Sequence, residues 1–282
     1  MKSVKSILLI LHSTTSSFDI CFNILTAPYI IFPAYSGYAR GLLWYLGVNQ
    51  YVMHYLGFTS LLLVGPSLVV LFEDRYNRIV RKDGNSENRA IKRAVHHGVN
   101  YFLTLVAYVP IIFIKVDQEE AKQRNKLDFP CLVLNYTEQP GYYSASKLFV
   151  VTLIYVLVTS FVQFVYFIIP TGRNLFRTKA HSRRTSELQR KFFTSICLQA
   201  SVPILLICIP CIYIQTSSII GYLDLLLANI TLLWITLHGM FSTVTMIAVH
   251  KPYREATLKP FGFCKSVPTT PMLVAQTSLS LK

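Results

Sequence analysis

Residues Gly57 to Tyr76 read GFTSLLLVGPSLVVLFEDRY. An apolar run without a single charge ends in Glu73, Asp74, Arg75 and Tyr76, one after the other. Extended back to Tyr51, the run is long enough to cross a bilayer as a helix, which takes about 20 residues. The charged cluster then falls where that helix leaves the hydrocarbon. Carboxylates at a helix C-terminus meet the negative end of the dipole, so they need cationic partners. Arg75 and Arg78 are the nearest. Asp74 and Arg78 also have the i, i+4 spacing of an ion pair on one helix face.

The whole chain fits a membrane setting. Of 282 residues, 52% are hydrophobic and 14% are charged, with a mean hydropathy of +0.44. A soluble domain carries about 25% charged residues. The net charge is +14. The basic residues lie in short loops between apolar runs, which argues for topology signals beside anionic lipid and against nucleic acid. Six apolar segments are visible, at about 7–32, 51–72, 94–114, 148–169, 192–214 and 223–249. Each predicts a helix, because only helices and closed barrels satisfy the backbone in lipid. Alternating strands of barrel length are absent. The expected fold is an all-α membrane bundle over 1–254, followed by a disordered cytosolic tail over 255–282 rich in Pro, Ser and Thr. Pro66 predicts a kink, and Pro170 predicts the end of the fourth helix. The opening MKSVKSILLIL has too short an apolar core for a signal peptide.

Orientation follows from the 27 Lys and Arg. All but Arg40, Lys115, Lys122, Arg124, Lys126 and Lys147 fall on one side of the six-segment arrangement. The positive-inside rule puts both termini and the Arg75 end in the cytosol. The loop 115–146 is then outside, where the sequon Asn135-Tyr136-Thr137 can be glycosylated. Asn135→Gln is expected to remove a glycosidase-sensitive mass shift. Protease protection that places this loop in the cytosol would overturn the orientation.

The candidate site residues carry different weights of chemistry. Asp19 is a lone carboxylate within the first segment, so it is expected to face the bundle interior, either structurally or as a cation ligand. Counting back from Arg75 by helical spacing, positions 72, 68, 65, 61, 57 or 58 and 54 share a stripe. His54 is therefore a candidate pocket residue, or else an interfacial histidine. His96-His97 lacks the further histidines of an oxygenase box, so no enzyme, metal or cofactor is expected. Cys208 and Cys211 lie inside an apolar segment with a proline between them, and read as packing groups.

Three segments carry a resemblance. APYIIFP (Ala27 to Pro33), FEDRYNR (Phe72 to Arg78) and VHKPYR (Val249 to Arg254) are similar to the nematode serpentine receptor class H family of chemoreceptors. Asp74-Arg75-Tyr76 also matches the D/E-R-Y motif of rhodopsin-like receptors. Pro252, Tyr253 and Arg254 match the family's motif at the end of its last span. The resemblance implies seven spans, an outside N-terminus, a small-molecule ligand and a heterotrimeric G protein as partner. It implies that Glu73, Asp74, Arg75 and Tyr76, with Pro252 to Arg254, form the coupling end. Arg75 would hold the resting state and then meet the G protein. The family's usual cysteine partner for Cys131 is absent from 40–55. Only six spans are visible, so the expectation is a chain that lacks the first family helix, with a further apolar stretch encoded upstream of Met1. The functional expectation is a G-protein-coupled chemosensory receptor in the plasma membrane. The competing classes are a transporter or channel, and a truncated product that does not signal.

Overall fold

Residue Asn49 starts the helix that the other elements pack around. Its side-chain oxygen accepts a hydrogen bond from the Tyr51 amide at 2.8 Å, an N-cap. Helix α3 (Gln50–Leu62) follows, and α4 (Val64–Ile79) continues it after a break at Leu63. Pro66 explains the break. It has no amide hydrogen to give the Leu62 carbonyl, and its ring crowds that turn. In its most apolar window, 61% of the combined helix is buried, against 17% for Leu148–Arg177. It is therefore the centre of the bundle, while helices such as Leu148–Arg177 form the outside.

In this computed structural model, the residues described are 2–31, 34–81, 83–84, 86–113, 117–128, 138–145, 147–177, 183–220, 224–249, 254–255, 257 and 259. Helix α1 (Lys2–Asp19) passes into a wide π-helical turn, Ile20–Thr26. The turn ends at Ala27, which has a left-handed backbone. The first apolar segment thus stops as a helix before Phe32. Pro28–Ile31 instead forms strand β1, antiparallel to β2 (Ser36–Ala39), with Tyr29 opposite Tyr38. A short α2 (Leu42–Tyr45) leads into the central helix.

Helix α5 (Glu87–Ala107) is capped by Ser86, whose hydroxyl accepts from the Arg89 amide, and a short α6 (Val109–Phe113) follows. Helix α7 (Gln118–Asp128) lies against strand β3 (Tyr143–Ser144), which completes a three-stranded sheet in the order β1-β2-β3. The Gln118 side chain accepts from the Ser144 amide at 2.8 Å, and Asn125 donates to the Tyr142 hydroxyl at 2.8 Å.

Helix α8 (Lys147–Arg177) runs straight through Pro170, where a stop was expected. Pro170 leaves the Tyr166 carbonyl without its amide partner, a loss that membrane helices tolerate. Thr171 bonds to the Phe167 carbonyl at 2.7 Å. Helix α9 (Arg183–Pro203) continues through a π turn (Ile204–Cys208) into α10 (Ile209–Ile220). Asp224 caps α11 (Leu225–Thr236), and α12 (His238–Val249) leaves it at a 45° bend.

The lipid-facing character is explicit. Val151, Val158, Phe161, Val162 and Ile169 on α8 are all exposed. Each is about half exposed and would cost about 1 kcal/mol in water. Among the described residues, four helices are long and apolar enough to span: Ser6–Thr26, Gln50–Ile79, Leu148–Arg177 and Ser186–Ser217. The bent pair α11–α12 adds a fifth if it is one span. Within the segment 94–114, residues up to Ala107 and Val109–Phe113 are helical, but Arg89, Lys92, Arg93, His96 and His97 lower the hydropathy of the first half of α5. A count of six spans depends on including that segment.

Close helix contacts use small residues, as lipid-embedded interfaces do. A Cβ on Gly65 would lie 2.8 Å from the Ser160 hydroxyl of α8. One on Gly57 would lie 3.2 Å from the Thr26 hydroxyl.

Candidate functional site

The Arg75 end of the central helix is a caged cluster of charges. Glu73 and Asp74 are both 1% exposed. Asp74 pairs with Arg75 and, as the i, i+4 spacing predicted, with Arg78 at 2.9 Å. The partners of Glu73 come from α5. Arg93 reaches it at 2.7 Å and Arg89 at 3.4 Å, while His97 lies at 3.3 Å without hydrogen-bond alignment. Arg93 also reaches Asp74 at 3.3 Å. Two buried carboxylates are thus held by guanidinium groups from two helices, the arrangement that buried charge demands.

Arg75 is held differently. Its ionic partner is Asp74, its own neighbour in the chain. Its guanidinium lies 5.2 Å from the centre of the Phe192 ring on α9, and its Nε has no hydrogen-bond partner. Tyr76 packs on Tyr166 and Phe167 of α8. A basic cleft opens beside this cluster, lined by Arg81, Arg89, Lys92, Arg93 and His96 over Tyr166 and Phe167.

The other end of the central helix carries a pocket. The sheet closes one side of it with Ile30, Ser36 and Tyr143, and helices supply Phe22, His54, Phe58, Phe149, Cys211 and Gln215 among others. The space within the lining, its open mouth included, is about 650 Å³. His54 lies on the stripe counted back from Arg75 and is 9% exposed. Its ring lies 4.3 Å from that of Tyr143, and its Nδ1 is 2.8 Å from the Gln50 carbonyl. The Tyr35 hydroxyl donates to the Gln215 side chain at 2.6 Å, which ties the hairpin to α10. Tyr35 itself has a left-handed backbone.

Asp19 faces the break in the last helix pair. Its Oδ1 is 3.7 Å from Nδ1 of the fully buried His238, and a Cβ on Gly239 would strike its carboxylate. Neighbouring polar groups on α1 are also used. His12 meets Gln199 at 3.1 Å, and Thr14 accepts from Ser67 at 3.1 Å.

The structure therefore brings Glu73, Asp74, Arg75 and Tyr76 together and puts His54 and Asp19 elsewhere in the bundle. Arg254 is exposed and bonds to the Ala248 carbonyl at 3.0 Å. Pro252, Tyr253, Asn135, Cys131 and most of the tail lie outside the described residues. Sequence reasoning missed Arg89, Arg93 and His97 as partners of Glu73. The signal was present in their spacing of four, which puts all three on one face of the next helix. It missed Ser36, Tyr35 and Gln215, which no local pattern marks.

A mainly helical, multi-pass membrane bundle is the class these features define. Residues 1–263 match the family model described as Serpentine type 7TM GPCR chemoreceptor Srh, and the chain belongs to that family. The family is a class of receptors and not of enzymes. No curated protein and no solved structure matches the chain.

Proposed function

We propose that this protein is a chemosensory receptor of the plasma membrane that binds a small molecule in the pocket beside His54 and activates a heterotrimeric G protein at its Glu73–Tyr76 end. The bundle spans 1–254, and the tail over 255–282, with the C-terminus, is cytosolic. The observation that carries this reading is one continuous structural line. The same broken helix, Gln50–Ile79, presents His54 to the pocket and Arg75 to the opposite end. At 1.5 Å per residue the two lie about 30 Å apart along it. Its break at Leu63 gives the line a hinge between them.

Arg75 is suited to a change of partner. Releasing it from Asp74 separates no helices, because both residues are on the same turn. Asp74 would keep Arg78 and Arg93. An Arg fork that leaves one carboxylate for another acceptor is a two-state element.

Arg75→Ala is expected to abolish ligand-evoked nucleotide exchange at matched surface levels. It should cost little stability, about 1 kcal/mol, since Asp74 stays paired. Equal exchange in variant and parent would count against this role. Asp19 beside His238 supports a second reading, since a transporter needs ionisable pairs within its spans. Ion flux without any G protein would select it.

A further inference from the structure

The pocket beside His54 has a chemistry that narrows what it can hold. Among the described residues, none that lines it is Asp, Glu, Lys or Arg. Its walls are mainly rings and aliphatic chains, including Phe22, Phe58, Phe149 and Leu153. An ammonium or carboxylate placed there without a counter-charge loses its hydration with nothing to replace it. Charged ligands are therefore disfavoured.

The wall also holds polar residues, Tyr35, Tyr143 and Gln215 among them, and two groups bear most on a ligand. The Ser36 residue is 2% exposed, and its hydroxyl is enclosed and has no hydrogen-bond partner, so a ligand reaches it as the side chain or the wall gives way. A buried hydroxyl left unpaired costs about 1–3 kcal/mol, so its satisfaction by a ligand is favourable. The second group is His54. The Gln50 carbonyl can only accept, so the hydrogen of the 2.8 Å contact sits on Nδ1. In the neutral ring Nε2 is then a lone-pair acceptor. One side of the pocket thus offers a hydroxyl that can donate or accept, and another offers an acceptor.

We infer that this receptor binds uncharged, largely apolar molecules bearing one hydroxyl or carbonyl group, and that Ser36 is the residue that recognises that group. The inference rests on the proposed reading of this cavity as the ligand pocket. A carbonyl would accept from Ser36. A hydroxyl could accept from Ser36 and donate to His54 Nε2. The carbon skeleton would lie among the aromatic rings. Amines, carboxylates, peptides and sugars would be excluded by the cost of stripping their water.

The test is a binding measurement that needs no G protein. The full-length receptor, purified in lipid nanodiscs, would be heated with octanol, octanone, octylamine or octanoate, compounds that share one skeleton. Saturable upward shifts in melting temperature are expected from octanol and octanone, and none from octylamine or octanoate. Ser36→Ala should weaken octanone about tenfold, the loss of one hydrogen bond. It should leave octane unchanged. Leu153→Trp, which fills the pocket, should abolish both neutral shifts and separates binding in the pocket from partition into lipid.

Shifts from octylamine or octanoate that Leu153→Trp removes would overturn the inference. So would the absence of a saturable shift from both neutral compounds, or a Ser36→Ala variant that binds octanone as the parent does. Neutral binding without nucleotide exchange would uphold the ligand class and overturn the receptor reading, so the two failures are distinct.

Discussion

Glu73→Ala is expected to lower the stability of the folded receptor by about 3 kcal/mol, the low end for removing one partner of a buried ion pair. Glu73 is 1% exposed and is the carboxylate on which Arg89 and Arg93 converge. Without it, two guanidinium groups and His97 face one another across a gap. The low end applies because the Arg89 and Arg93 side chains are 19% and 22% exposed and can recover some water. Glu73→Gln keeps an acceptor in place and should lose less. Thermal unfolding of the detergent-solubilised protein, read by size-exclusion profiles after heating, measures the effect. A Glu73→Ala variant that unfolds with the parent would sink the idea that this cage fastens α5 to α4.

Gly65→Leu is expected to be as damaging through packing alone. Helix α4 packs against α8 along much of its length, and Gly65 is where the Ser160 hydroxyl comes closest. Even one Cβ would lie 2.8 Å from that oxygen. A leucine must push the helices apart or adopt a strained rotamer, at about 3 kcal/mol. Ser160→Gly in the same chain should restore part of the loss, since it removes the atoms struck. The informative quantity is the coupling between the two substitutions. If Ser160→Gly rescues nothing, the contact between these helices is not where the structure places it.

The central helix was legible because its two signals are local. A long apolar run and a proline are read from adjacent residues, and the break falls at Leu63, just before Pro66. The stripe that put His54 in a pocket wall depends only on helical periodicity. The same is true of the Asp74–Arg78 pair. Pro170 misled because a proline need not end a long membrane helix, whose remaining turns carry it through the loss of one hydrogen bond. The end of the first helix also misled. Pro28 to Ile31 is apolar enough to extend a span, but it pairs with residues 36–39 and becomes a strand. That pairing is long-range information that no window of sequence carries. The cage around Glu73 lay between these cases. The spacing of Arg89, Arg93 and His97 was visible, but the choice of Glu73 as their target requires two helices to be docked.

The sheet that closes one side of the pocket separates how tightly a molecule is held from how long it stays. In the proposed receptor, a molecule entering between Ile30, Ser36 and Tyr143 would have to displace the hairpin, and leaving that way would need the same displacement. The Tyr35–Gln215 link at 2.6 Å then acts on dwell time. A receptor with a looser link would report a brief pulse as brief. With the link intact, the proposed receptor would signal beyond the end of the stimulus and give the cell a smoothed record of its surroundings.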